Sequence, residues 1–313
     1  MQDGEATGRT FRLITRPDFD GIVSAVLLRE RDLIDDIVFV KPNDMQAGRV
    51  PVSDRDITSN LPYVDGVHLA FDHHASEITR VGPRPNLVID GAAPSAARVI
   101  YDHYGGATGF PDINPEMMAA VDQADSADYS EMDILAPDRW TMLNFIVDPR
   151  TGLSRFRDFA ISNEQLMRDL SIYCRRHPIE EIMRIPDVEE RVHLYLEHKE
   201  RAEHQTRRHA RRDGPLVVVD FRAEPTLYAS NRFMVYALFP DATVSMYLMP
   251  GSHPGLTEIA LGRSILNRAS RADLGHLLLE YGGGGHATAG TCQVPDAAVD
   301  ETVAALSARI KAD

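Results

Sequence analysis

Short apolar runs that end in acidic or imidazole side chains dominate the N-terminal part of the chain. Phe11-Arg12-Leu13-Ile14-Thr15 is β-prone and leads into Asp18-Phe19-Asp20-Gly21, after which Ile22 to Leu28 is apolar at helical spacing. This order reads as strand, acidic loop, helix. Ile37 to Val40 and Val67-His68-Leu69-Ala70-Phe71 repeat the strand pattern, and the second of them runs directly into Asp72-His73-His74. Acidic and imidazole groups thus gather at carboxyl ends of strands, the edge at which open α/β sheets bind ligands. Helices are expected over Pro94 to Tyr104 and Pro115 to Gln123, each with a proline near its first turn.

Farther along, Asn163 to Arg212 is rich in Glu, Arg, His and Leu at helical spacing and stops at Asp213-Gly214-Pro215. Leu216-Val217-Val218-Val219 then opens a second β-rich unit. Further strands are expected near Thr243 to Leu248 and Leu256 to Leu261, with helices at Asp273 to Tyr281 and Ala297 to Ile310. The pattern predicts an α/β protein: a parallel-sheet N-terminal domain over 1–185, a helical connector over 186–214 and a smaller mixed α/β domain over 215–313. A length of 313 residues agrees with two cores rather than one.

Charge narrows the range of partners. The 47 acidic residues against 33 Lys and Arg give a formal charge of −14, which argues against tight grip on long duplex nucleic acid, where many phosphates must be neutralised. No stretch approaches the roughly 20 apolar residues needed to span a bilayer, and Met1-Gln2-Asp3-Gly4 lacks the charged and apolar regions of a leader. A cytoplasmic location is expected. Cys174 and Cys292 have no ligand-type spacing and read as buried apolar residues.

The chemistry-bearing residues fall in separate segments. Asp72-His73-His74 places a carboxylate and two imidazoles at a strand end, a donor mixture suited to Mn²⁺ and similar ions. Asp18 and Asp20 alternate on a turn, and Gly21 permits a close helix start. Asp122 to Asp128 adds acidic groups after the apolar helix Met117 to Val121, and Asp54-Arg55-Asp56 to Asn60 adds more just before the strand that ends in Asp72. In the C-terminal unit, Gly282-Gly283-Gly284-Gly285-His286 suggests backbone N–H groups converging on an anion, with Arg263-Ser264 upstream adding a bidentate guanidinium. It is no Walker loop, since no Lys-Ser/Thr pair follows the glycines.

Taken together, D-x-D-G, the D-H-H triplet, the intermediate Asp motif and the terminal G-G-G-G-H-x-x-A-G resemble the DHH phosphoesterase superfamily with its DHH-associated C-terminal domain. The likeness spans almost the whole chain, and Thr15 to Ile22 with Asn60 to Tyr63 looks most like its exopolyphosphatase-related and short-oligonucleotide nuclease branch. The resemblance implies a first metal on Asp18 and a second on Asp20, His73 and Asp125, with Asp72 in the same centre and His74 facing the substrate phosphate. An aspartate bridging both ions is placed at Asp56, with Asp54 and Asn60 as the other registers. The imidazole usual before the first aspartate is replaced by Ile14 and Arg16, so the first ion has fewer ligands.

The function expected from these features is hydrolysis of a phosphodiester or phosphoanhydride in a short anionic substrate. Asp72 and His74 carry the chemistry, and two Mn²⁺ ions, with Mg²⁺ or Co²⁺ as substitutes, activate water. Arg263, Ser264, Gly283, Gly284, Gly285 and His286 would hold the substrate. That substrate is a small phosphorylated molecule or a short single-stranded oligonucleotide, with no long duplex and no membrane, and the long connector suits a homodimer. The competing reading is a non-catalytic nucleotide or phosphate sensor on the same fold.

Overall fold

The computed structural model describes residues 9–156 and 158–312; the segment Met1-Gln2-Asp3-Gly4 discussed above lies outside them. Among these residues, the apolar runs of the first half pair into one sheet. β1 (Phe11–Thr15), β2 (Ile34–Phe39), β3 (Asp56–Ser59), β4 (Leu69–Asp72) and β5 (Leu87–Ile89) lie in the order β2-β1-β3-β4-β5, every neighbouring pair parallel. A parallel sheet is covered on both faces, which is why β1 and β4 read as continuous apolar runs rather than alternating ones. The registers Leu13↔Ile57, Ile57↔Leu69 and Phe71↔Val88 bring all five carboxyl ends to one edge. Strand order reverses at the β1–β3 boundary, and this reversal is where such sheets open a ligand crevice.

The helix Phe19–Glu30 is buried from Phe19 through Leu28. It is apolar almost all round because it packs against β2 and the helices Ala96–His103, Pro115–Asp125 and Asn163–Tyr173. The last two of these helices begin on side-chain caps from Asn114 and Ser162.

A second sheet follows, built from β6 (Ala210–Asp213), β7 (Leu216–Asp220), β8 (Val244–Pro250), β9 (Leu256–Arg263), β10 (Gly284–His286) and β11 (Ala289–Pro295). Its order is β10-β11-β9-β8-β7-β6, and β7–β8 is the parallel pair in an otherwise antiparallel sheet. Leu216, Val218, Met246, Ile259 and Leu261 meet Leu278 and Leu306 of the helices Leu274–Leu279 and Val299–Ala312 in its core. Two compact units result. One takes in the chain up to Asp128 and Pro137–His193, the other Tyr129–Ala136 and Leu194–Asp313. The boundary therefore falls inside the long helix Pro186–His209, and the short helix Glu131–Leu135 belongs to the second unit.

Two local expectations need correction. The last residues of the expected connector, Ala210–Asp213, form β6, because the chain reverses at Gly214 (φ +64) and pairs Arg212 with Val217. The expected anion loop Gly283-Gly284-Gly285 is largely strand: Gly284 pairs with Thr291 and Gly285 with Gly290, so their peptide groups face a neighbouring chain segment. Glycine is required there for close approach rather than for a nest, since a Cβ on Gly285 (φ +152) would lie 2.3 Å from the Ala289 carbonyl oxygen. Cys174 and Cys292 are both free and buried, and among the described residues no helix is long and apolar enough to cross a membrane.

Candidate metal centre

At the carboxyl end of β1 the chain turns sharply into the helix Phe19–Glu30. Asp18 is its N-cap, accepting a hydrogen bond from the Gly21 amide at 3.0 Å, and a Cβ on Gly21 would lie 2.1 Å from the Arg16 carbonyl oxygen. Glycine is therefore fixed by contact at that position. The turn drives Asp20 inward, where it is 2 % exposed and accepts the amides of Ala96 (3.1 Å) and Ala97 (2.7 Å). Those amides open the helix Ala96–His103, whose N-terminal dipole favours a carboxylate.

Ser95 caps that same helix through Arg98 N and donates to Asp122 Oδ1 at 2.8 Å, while Arg98 Nε donates to Asp122 Oδ2 at 3.0 Å. Asp122 thereby anchors the helix Pro115–Asp125. One turn on, on the same helix face, its last residue Asp125 points at His73: the Nε2 to Oδ2 distance is 2.8 Å. Asp125, expected just past a helix ending at Gln123, is thus the last residue of that helix. His73 Nδ1 sits 3.2 Å from the Ala93 carbonyl and donates to it, which leaves the Nε2 lone pair directed at a carboxylate oxygen. Such a pairing requires either a second proton on the ring or a cation between the two groups.

The electrostatics agree with a cation. Burial, reinforced by the charges of Asp125 and Asp18, pushes the Asp20 carboxyl well above its ordinary range. Burial also raises Asp18, against the pull of Arg16. At His73 burial opposes the charged ring, but the Asp125 hydrogen bond and the charges of Asp125 and Asp20 outweigh it and lift the imidazole to about 9. Asp125 is correspondingly held low: burial works against its charge and His73 overcomes it. Asp20, His73 and Asp125 each offer a ligand atom, all within 4.8 Å of one another, the one such group among the described residues. Two carboxylates and an imidazole fit a divalent ion of intermediate hardness.

Asp72 closes β4 and is 2 % exposed; its Oδ1 is 2.7 Å from His74 Nδ1, and its Oδ2 is buried without a partner. The His73 and His74 rings stand edge to face at 4.5 Å. On the adjacent strand, Asn60 follows Ser59 at the same edge with φ +57, and both polar atoms of its side chain are buried without partners.

Asp56 is not part of this centre. It begins β3, at the opposite edge of a parallel sheet, and its carboxylate accepts Arg12 Nε (2.7 Å), Arg12 Nη2 (3.0 Å) and the Ser53 amide (2.7 Å). Asp54 pairs with Arg9 near the surface. At the carboxyl edge, the residue that follows β3 is Asn60. Arg263 and Ser264 are likewise committed elsewhere. The guanidinium holds the Ala272 carbonyl through Nε at 2.8 Å and the Arg271 carbonyl through Nη2 at 2.6 Å, and Ser264 Oγ accepts the amides of Leu266 and Asn267. Their work is to fix the 264–272 turn. His286 stays exposed on β10. Sequence reasoning passed over Arg150, whose positive charge acts on Asp18 and Asp125 while Asp148 holds it at 2.7 Å; no spacing signals it. It also passed over the Ala96 and Ala97 amides, for which the Ser95-Ala96-Ala97-Arg98 start of a helix was the available cue.

No protein-family model matches the chain, and no curated protein matches its sequence. Solved structures do. A pGpG-specific phosphodiesterase, PggH from Vibrio cholerae, is 47 % identical with a TM-score of 0.86, the match covering 97 % of this chain and 100 % of that one. The DHH domain of a member of a ribosomal-protein family aligns with a TM-score of 0.58 at 14 % identity over 98 % of this chain and 88 % of that one. RecJ from Thermus thermophilus in complex with Mn²⁺ aligns with a TM-score of 0.54 at 14 % identity over 99 % of this chain and 53 % of that one, and RecJ with Mg²⁺ gives 0.52. These last likenesses show a shared fold. With a full-length relative at nearly half identity and the Asp72-His73-His74 triplet at the centre, the chain belongs to the DHH superfamily of phosphoesterases and is a hydrolase.

Proposed function

We propose that this chain is a divalent-metal-dependent phosphodiesterase that hydrolyses the linear dinucleotide pGpG, water adding across the internal phosphodiester to release two molecules of GMP. The observation that carries this reading is the 47 % identity to a pGpG-specific phosphodiesterase over the whole length of both chains. Asp20, His73 and Asp125 hold the ion, Mn²⁺ by preference with Mg²⁺ or Co²⁺ as substitutes. When bound, such an ion lowers the pKa of a nearby water and offsets charge on the phosphoryl group.

The protein's own residues supply the geometry. The Ala93 carbonyl fixes the His73 tautomer, and the Ala96 and Ala97 amides fix the Asp20 carboxylate, so both donors are oriented before any ligand arrives. Asp72 orients His74 through Nδ1, and His74 is the residue proposed to face a phosphoryl oxygen. His286 on β10 is proposed as a substrate-binding residue of the second unit. The net charge of −14 supports a substrate of a few nucleotides rather than duplex. We further propose a cytoplasmic enzyme that works without a membrane, as a homodimer.

Incubating the purified chain with Mn²⁺ and a panel of pGpG, other dinucleotides, longer single strands and polyphosphate, with products resolved by chromatography, tests the reading. GMP from pGpG, abolished by His73→Ala, is expected. Tight pGpG binding with no turnover of any phosphoester would instead make the chain a sensor.

A further inference from the structure

The family resemblance implies two ions, and the residues present fit only one of them. Asp18, the ligand expected to define the first ion, has both carboxylate oxygens engaged: Oδ1 takes the Gly21 amide at 3.0 Å and Oδ2 faces Arg16 Nε at 3.1 Å. A fixed positive charge thus lies against the carboxylate that would hold the cation. Arg150 adds a second positive charge acting on Asp18. The bridging position is no better. Asn60 stands at the edge after β3, Asp56 is spent on Arg12 at the other end of the strand, and Asp54 pairs with Arg9. A bridging carboxylate gives one charged oxygen to each of two ions, whereas an amide offers one neutral oxygen and a donor that repels cations. Among the described residues, no group of three ligand side chains includes Asp18 or Asp72.

We infer that Arg16 and Asn60 convert this DHH centre into a single-ion site, in which the Arg16 guanidinium, held by Asp18, takes over the charge of the first ion. The inference rests on the proposed metal-dependent reading above and concerns how many ions that activity uses. It gives Asp18 a different task from Asp20: positioning Arg16 rather than binding metal. The Asn60 amide, buried without a partner at the edge after β3, is left to donate to solvent or to an oxygen of the substrate, and Asp72 Oδ2, buried without a partner at the end of β4, to accept from solvent.

The test is ion stoichiometry in the intact protein. The chain is dialysed to equilibrium against Mn²⁺, bound metal is counted by elemental analysis, and the Mn²⁺ electron paramagnetic resonance spectrum is recorded. One ion per chain with an uncoupled six-line spectrum is expected, and Asp18→Asn keeps that count while Asp125→Asn loses it. Two ions per chain with an exchange-coupled spectrum would overturn the inference and leave the phosphodiesterase reading intact. No bound ion, with turnover persisting in chelator, would overturn both. The double variant Arg16→His with Asn60→Asp is expected to gain a second equivalent, and a count that stays at one would refute the assignment to these two residues.

Discussion

Replacing Asp56 by alanine separates the two roles that an aspartate in this part of the chain can have. The carboxylate is 1 % exposed and accepts two hydrogen bonds from the Arg12 guanidinium and one from the Ser53 amide. Truncation strands that amide and leaves Arg12 without its partner beside β1. Loss of a partner to a fully buried ion costs about 3–5 kcal/mol, but the Arg12 side chain is 36 % exposed and water compensates part of the loss. A cost of about 2–3 kcal/mol follows. For a unit of this size that lowers the unfolding temperature by roughly 5–10 °C. Because Asp56 sits at the edge remote from His73 and Asp125, Mn²⁺ stoichiometry and turnover below the transition are unchanged. Calorimetry and dialysis on the same preparation measure both quantities. An unaltered transition combined with lost metal or lost turnover would refute the placement of Asp56 outside the centre.

Three further outcomes follow from the geometry. In metal-free protein the His73–Asp125 pair stabilises the fold through a raised imidazole pKa, so its contribution is fully present below about 6.5 and is lost as pH rises through about 9. An NMR titration of the His73 ring in chelator should show a midpoint near 9, and a midpoint at or below 6.5 would contradict the pairing. Mn²⁺ at about 100 times its Kd should stabilise the folded chain by ~2.7 kcal/mol, a calorimetric shift that His73→Ala abolishes; an undiminished shift in that variant would place the ion elsewhere. Gly285→Ala should lower the unfolding temperature of the second unit by several degrees, since its Cβ meets the Ala289 carbonyl at 2.3 Å in a backbone conformation that L residues avoid. A neutral result in thermal denaturation would count against that contact.

How much of this was legible beforehand depended on how each residue announces itself. Asp18, Asp20, Asp72 and His73 were readable because they follow the apolar runs Phe11 to Thr15 and Val67 to Phe71, and a run's end is visible when its beginning is. β3 hid itself. It is four residues, Asp-Ile-Thr-Ser, with too little apolar character to mark where it stops, so Asp56 was placed at the edge that Asn60 occupies. β5 is shorter still, and its partner register is set by β4 rather than by its own sequence. The glycine run misled for a different reason: glycine signals either unusual φ or close approach, and only the packing of β10 against β11 distinguishes them. Arg263 is the third case. A guanidinium's direction is decided by nearby carbonyls, here those of Arg271 and Ala272, which no spacing rule foresees.

The account depends most on a cation lying among Asp20, His73 and Asp125. An anomalous difference map at the manganese edge, from crystals equilibrated with Mn²⁺, reports that position directly. The account predicts a peak enclosed by those three side chains. A map whose peaks all lie away from them would contradict it.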